Sequence, residues 1–214
     1  QKRVREFFFY MMAHPDGSTK DEIGVAFWPE SSAGQLKLQF KNVIYRLRFS
    51  LGQDVISFQD DLYWFNRHLD YDYDVEAFLN KLEQARVEQS QEGKAMLLRE
   101  AIDIVKGEYL SEFDSLWVVI EREKLRQFYV NAALELAQIY LESGNFTATL
   151  ECCHKLLAED RCLEEAHRLA MRAYAGKGNR AGIKRQFESC KKALFEEIQS
   201  APSPQTISLY EALQ

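Results

Sequence analysis

Proline and glycine are scarce in this chain of 214 residues, at 4 and 10, which argues against a long disordered tail. Apolar residues never run to the roughly 20 needed to cross a bilayer. The densest cluster, Phe7 to Met12, is short and flanked by charge. No secretory leader is recognisable, so the chain is expected in the cytoplasm, away from membranes, with reduced thiols. Cysteine is sparse too, at positions 152, 153, 162 and 190. Cys152 and Cys153 are adjacent on a predicted helix and point about 100° apart, an arrangement one metal rarely accepts. Even with His154 and His167 nearby, they read as small core thiols, and no metal is expected. A Walker phosphate loop, a dinucleotide glycine motif and a zinc-protease pair are all missing. Paired acids such as Glu164-Glu165 read as exposed helical faces. Neither an enzyme nor a cofactor is expected.

The most informative absence is local. Between Ser31 and Gln53 there is no acidic residue, in a chain of net charge −6. That overall charge speaks against indiscriminate coating of nucleic acid, yet leaves room for one positive element. Residues 1–73 carry a net −1 and the remainder −5, whereas the acid-free segment is +4 through Lys37, Lys41, Arg46 and Arg48.

The same segment has a helical period. Leu36, Phe40, Val43, Ile44, Leu47 and Leu51 form its apolar side. Ser32, three before Gln35, makes a capping box, and Gly52 ends the helix. With Leu36 at zero on a wheel, the apolar group spans roughly 340° to 80°. Lys37, Lys41 and Arg48 fall at about 100–140°, Asn42 near 240° and Arg46 near 280°. A merely solvated face normally mixes both signs of charge. This one does not. Arg and Lys suit phosphates or guanine edges, and Asn suits adenine. Leu38, Tyr45 and Phe49 lie near 180–220°, opposite the core. Tyr45 is within the range of residues that touch a thymine methyl or a phosphate; Leu38 and Phe49 are expected to be packing residues.

The surroundings give this helix a context. A helix over 2–13 shows Val4, Phe7, Phe8 and Met11 as a stripe, and His14-Pro15-Asp16-Gly17 breaks it. Thr19 and Glu22 form a capping box for a short helix through Phe27, which Pro29 stops. After Gly52, two β-prone runs, 54–58 and 62–66, flank Gln59-Asp60-Asp61 and predict a hairpin. Helix, helix, amphipathic helix, hairpin is the order of a winged helix-turn-helix, whose third helix enters the major groove. Arg67, just past the hairpin, is a candidate phosphate contact. His14 and His68 read as surface or capping residues, and Trp28, Trp64 and Trp117 as core anchors.

From Asp74, a predicted N-cap, the chain reads as wholly helical, with breaks at Gly93 and Gly107 and a long helix over about 114–143. Tyr140, Gly144, Asn145 and Ala148 are answered 34 residues later by Tyr174, Gly178, Asn179 and Gly182. That period is the tetratricopeptide signature of stacked helix pairs. A last helix follows Pro202-Ser203-Pro204.

Over nearly its full length the chain resembles the Streptomyces antibiotic regulatory protein type, an OmpR-like winged helix followed by a bacterial transcriptional activator domain. Phe27-Trp28-Pro29-Glu30 resembles the family's segment ahead of the recognition helix. Tyr45-Arg46-Leu47-Arg48 and Leu51-Gly52 resemble that helix's core and end, and Tyr63-Trp64-Phe65 the wing strand. Further on, Lys106-Gly107-Glu108-Tyr109-Leu110, Trp117 with Glu121-Arg122, Glu164 through Tyr174, and Pro202 through Thr206 with Leu209-Tyr210 match in order. The resemblance implies dimeric binding to direct repeats and recruitment of RNA polymerase. It also implies a small sheet that would precede Gln1, so the chain is expected to be either trimmed or one piece of a larger regulator. Asp60-Asp61 replaces the usual glycine-containing wing tip.

The expected fold is therefore mainly α: a winged helix-turn-helix over 1–73 and an all-α tetratricopeptide-like solenoid over 74–214. The expected function is sequence-specific regulation of transcription, with double-stranded DNA, RNA polymerase and a second copy of the chain as expected partners. In it Lys37, Lys41 and Arg48 hold phosphates while Asn42, Tyr45 and Arg46 read bases. The rival is a protein-interaction module, with a tetratricopeptide-like groove and a degenerate winged helix.

Overall fold

Residues 1–214 are described by a computed structural model, which is mainly helical with one small antiparallel sheet. In chain order the elements are α1 (Lys2–Ala13), β1 (Ser18–Thr19), α2 (Lys20–Phe27), α3 (Ala33–Leu51), β2 (Ile56–Gln59) and β3 (Leu62–Phe65). Then come α4 (Asp74–Val87), α5 (Gln91–Ile104), α6 (Leu116–Glu142), α7 (Phe146–Glu159), α8 (Glu164–Gly176), α9 (Arg180–Ile198) and α10 (Pro204–Ala212). Packing divides them into two units. Gln1–Asp72 with Glu108–Leu125 form the first, and Tyr73–Gly107 with Arg126–Gln214 the second, so α6 contributes to both.

Aromatic packing centres the first unit. Phe7 of α1 meets Phe27 and Phe40, with ring centroids 5.4 and 5.8 Å apart. Tyr10 meets Phe27 and Trp117, at 5.3 and 5.2 Å. Trp117 thus anchors this unit, and its indole N–H donates to Glu6 at 3.3 Å. The buried face of α1 is Phe7, Tyr10, Met11 and Met12. It is turned from the predicted stripe, and Val4 and Phe8 are only half-buried. Arg122 closes the 108–125 segment by donating to the carbonyls of Tyr109, Leu110 and Phe113.

The sheet has the order β1-β3-β2. Its first strand is additional to the predicted hairpin: Ser18 and Thr19 pair with Tyr63 and Leu62. Gln59 pairs with Leu62, which leaves Asp60 and Asp61 as a two-residue loop. Both have positive φ, 50° and 63°, the requirement of a type I′ turn. The loop is one residue shorter than the spacing predicts.

In the second unit α6 carries two apolar faces. Ala132, Leu136 and Ile139 pack with Ala85 of α4 and Leu98 of α5. Val130, Ala133, Leu134 and Ala137 pack with α7 and α8 through Leu150, Cys153, Leu156, Ala166, Leu169 and Ala170. A helix buried on two sides shows little amphipathic period, and that is the sequence character of this stretch. The 34-residue repeat becomes two equivalent corners. Gly144 and Gly178 take left-handed φ of 76° and 67°, and the side chains of Asn145 and Asn179 cap α7 and α9. Burial pushes the thiols of Cys153 and Cys190 up to about 12, so both are inert core groups.

Two predicted boundaries move. The N-cap of α4 is Tyr73, and Asp74 is its first residue, accepting the Val75 N–H at 2.9 Å. The break near Gly93 falls at Ser90, whose hydroxyl accepts the Gly93 N–H at 3.1 Å. Gly93 therefore sits in the first turn of α5, where the serine cap overrides glycine's weak helix propensity.

Candidate nucleic-acid interface

Both ends of α3 are fixed by its own sequence. Gln35 Oε1 accepts from the Ser32 N–H at 2.9 Å, while the Ser32 hydroxyl accepts from the Gln35 N–H at 3.5 Å. Gly52, in the left-handed region, donates its N–H to the Arg48 carbonyl at 2.9 Å. Phe40, Val43 and Leu47 are buried, and Phe40 sits edge-on to Tyr63 of β3 at 4.6 Å. Leu51, predicted in the core, is exposed in the last turn of α3. The approach of α2 to α3 is close. A Cβ at Gly24 would come within 2.8 Å of Leu36 Cδ2, so the backbone of α2 rests on that side chain.

With one face buried, the other is presented to solvent. Lys37, Lys41, Asn42, Tyr45 and Arg46 are all exposed. Lys37, Lys41 and Arg46 make no ion pair, and with no acid on α3 their charges are uncompensated along the helix. Arg48 differs. Its Nε and Nη2 donate to the two carboxylate oxygens of Asp54 at 3.0 and 2.8 Å. Asp54 is the first acid after the acid-free run, so this pair marks the edge of the positive face.

Arg67 is engaged within the chain. Expected at phosphates, it is half-buried, and donates to the Met12 carbonyl at 2.9 Å and the Tyr71 hydroxyl at 3.2 Å. Met12 lies in the last turn of α1, where free carbonyls and the helix dipole favour a cation. Leu38 and Phe49 lie opposite the core, where the wheel puts them, and do not pack there. Expected to pack, they are 61% and 81% exposed, and Tyr45 is 67% exposed. Tyr45 and Phe49 lie side by side, with ring centroids 6.4 Å apart and planes 20° apart. On the hairpin, Phe58 is exposed and leans on Tyr63 at 4.3 Å. Burial, with help from the Asp61 charge, raises the Tyr63 phenol above its ordinary value. No three His, Cys, Asp or Glu side chains converge as a metal site. No helix is long and apolar enough to cross a membrane.

A mainly helical fold, with a capped basic helix ahead of stacked helix pairs, defines a class in which a small charged unit is joined to a helical one. Residues 73–214 match the bacterial transcriptional activator domain, more than half of the chain, and the chain belongs to that family. Among solved structures it is similar to Mycobacterium tuberculosis EmbR in complex with a low affinity phosphopeptide, with a TM-score of 0.76 and 19% identity. The match covers 92% of this chain and 54% of that one, so the chain spans about half the length of EmbR. At this identity the likeness is one of fold. No curated protein matches the chain.

Proposed function

We propose that the chain is the DNA-binding and activator portion of a cytoplasmic regulator of transcription. In this reading residues 1–73 act as a winged helix-turn-helix and residues 74–214 as the activator domain. Helix α3 docks in the major groove, and the β2–β3 hairpin is its wing. Lys37 and Lys41 hold phosphates, joined by Arg48 when it leaves Asp54, and Asn42, Tyr45 and Arg46 face base edges. The helical domain supports dimerisation on direct repeats and contact with RNA polymerase. The carrying observation is the exposed, acid-free face of α3, whose Lys37, Lys41 and Arg46 make no ion pair.

Binding to mixed genomic fragments tests it. A sequence-selected subset is expected to be retained, and Lys41→Ala with Arg46→Ala is expected to cost about 10-fold or more in affinity. Unchanged affinity in the folded double variant would refute the assigned surface.

A second reading, a protein-interaction module, is favoured by one feature of the second unit. A cleft of about 580 Å³ between α5 and α6 is lined by Met96, Arg99, Ile139 and Tyr140 among others. It has the mixed apolar and charged lining that suits a peptide. Peptide capture without any DNA retention would support this reading over the first.

A further inference from the structure

Leu38, Asn42, Tyr45 and Phe49 follow one another at spacings of four, three and four, so they form a single ridge along α3. The ridge lies opposite Phe40, Val43 and Leu47, the residues that bury the helix. Three of its four members are apolar or aromatic, and all three are largely exposed. Isolated exposed apolar side chains need no explanation, but a row of them along one functional helix does. Lys37 and Lys41 lie on one flank and Arg46 on the other, and no acid occurs between Ser31 and Gln53.

The ridge's occupant must therefore offer apolar groups inside a strongly negative surround. Duplex DNA does so in the major groove, where thymine methyl groups lie between two rows of phosphates. The dimensions also agree. The eleven steps from Leu38 to Phe49, at a rise of 1.5 Å each, span about 16 Å, the length of roughly five base pairs.

We infer that Leu38 and Phe49 determine sequence specificity: with Tyr45 they read thymine methyl groups, and Asn42 between them reads adenine. The sequence under α3 is then biased to A·T pairs over about five base pairs. This rests on the reading of the chain as a DNA-binding regulator.

The test uses duplexes selected by the full chain from a random library, with each thymine replaced in turn by deoxyuridine. The replacement removes one methyl and keeps base pairing and hydrogen-bonding groups. Two or three positions are expected to lose about fourfold in affinity, the worth of one buried methyl. Phe49→Ala should bind the thymine and uracil duplexes equally at one of those positions, and Leu38→Ala at another. Both side chains are exposed, so the variants are expected to keep the wild-type circular dichroism and melting. Loss of affinity at no uracil position overturns the inference, and so does equal weakening of thymine and uracil duplexes by the variants. In either case selective binding still stands, and with it the regulator reading. Variants that leave DNA affinity and uracil sensitivity untouched overturn it too, and point the ridge to a protein partner. Failure to retain any duplex at low salt overturns both readings.

Discussion

At the scale of single residues, the hairpin tip is where charge and backbone conformation conflict. Type I′ turns favour Asn-Gly, because both central residues need positive φ. Here Asp60 and Asp61 fill the turn at φ of 50° and 63°. Asp tolerates the left-handed region better than most residues, but two adjacent carboxylates also repel each other. Asp60→Asn with Asp61→Gly is expected to stabilise the chain by about 1 kcal/mol, measured by urea unfolding. The introduced amide would keep an acceptor for Gln59, which now donates to Asp60 at 3.2 Å. The same change should tighten DNA binding at low salt, with the gain shrinking as salt rises, because a wing tip beside phosphates would lose two negative charges. Arg48 shows the opposite balance. Its pair with Asp54 is bidentate but more than half exposed on both sides, and so contributes at most about 1 kcal/mol. A phosphate can replace Asp54 at small cost.

At the scale of elements, α8 and α9 are joined by a buried histidine with a fixed tautomer. His167 Nε2 lies 3.0 Å from the Arg161 carbonyl, which can only accept, so the proton is on Nε2. Nδ1 then accepts from the Gln186 amide at 2.6 Å. Protonating Nδ1 would set one donor against another. Burial lowers the pKa of His167 below 6.5, outweighing the hydrogen bond to Arg161 and the charges of Glu164 and Asp160 that raise it. The folded state therefore binds this proton less tightly than the unfolded state. Its contribution is full above about pH 6.5 and is lost as pH falls through the folded value. Melting temperature is expected to drop from pH 7.5 to pH 5 by more in the wild type than in Gln186→Glu, whose carboxylate accepts from a protonated Nδ1. An equal drop in the two proteins would show that His167 does not set the slope. Elements like these were legible where the signal is local. The capping boxes at Thr19 and Ser32 form as their spacing predicts, and the 34-residue repeat marks the Asn145 and Asn179 caps. Signals that depend on distant partners were not legible. Strand β1 has two residues and exists through its pairing with β3. Arg67 is held by a carbonyl 55 residues away. Trp117 packs on Tyr10 across a still longer separation, which brings 108–125 into the first unit. The exposed cations of α3 could be read from a helical wheel. The wheel also puts Leu38 and Phe49 opposite the core, but whether another element covers them there depends on distant partners and could not be read.

At the scale of the whole molecule, the distribution of charge limits how the proposed DNA complex would be held. The chain carries a net −6, so the long-range field opposes a polyanion and attraction must come from a few short contacts. Lys37 and Lys41, joined by Arg48 when it leaves Asp54, are the α3 cations proposed to meet phosphates. Counterion release gives a slope of log affinity against log salt of about −0.9 per phosphate neutralised. One chain using these three groups would show a slope of about −3, and two chains on a direct repeat about −5. The proposed dimer is expected to give the steeper value in a titration from roughly 50 to 200 mM salt. Lys41→Ala should then flatten it by about two, one contact from each chain. A slope near −3, unchanged by protein concentration, would show that one chain binds alone. A slope beyond about −10 would require phosphate contacts well outside α3, and would sink the assignment of that helix as the principal docking element.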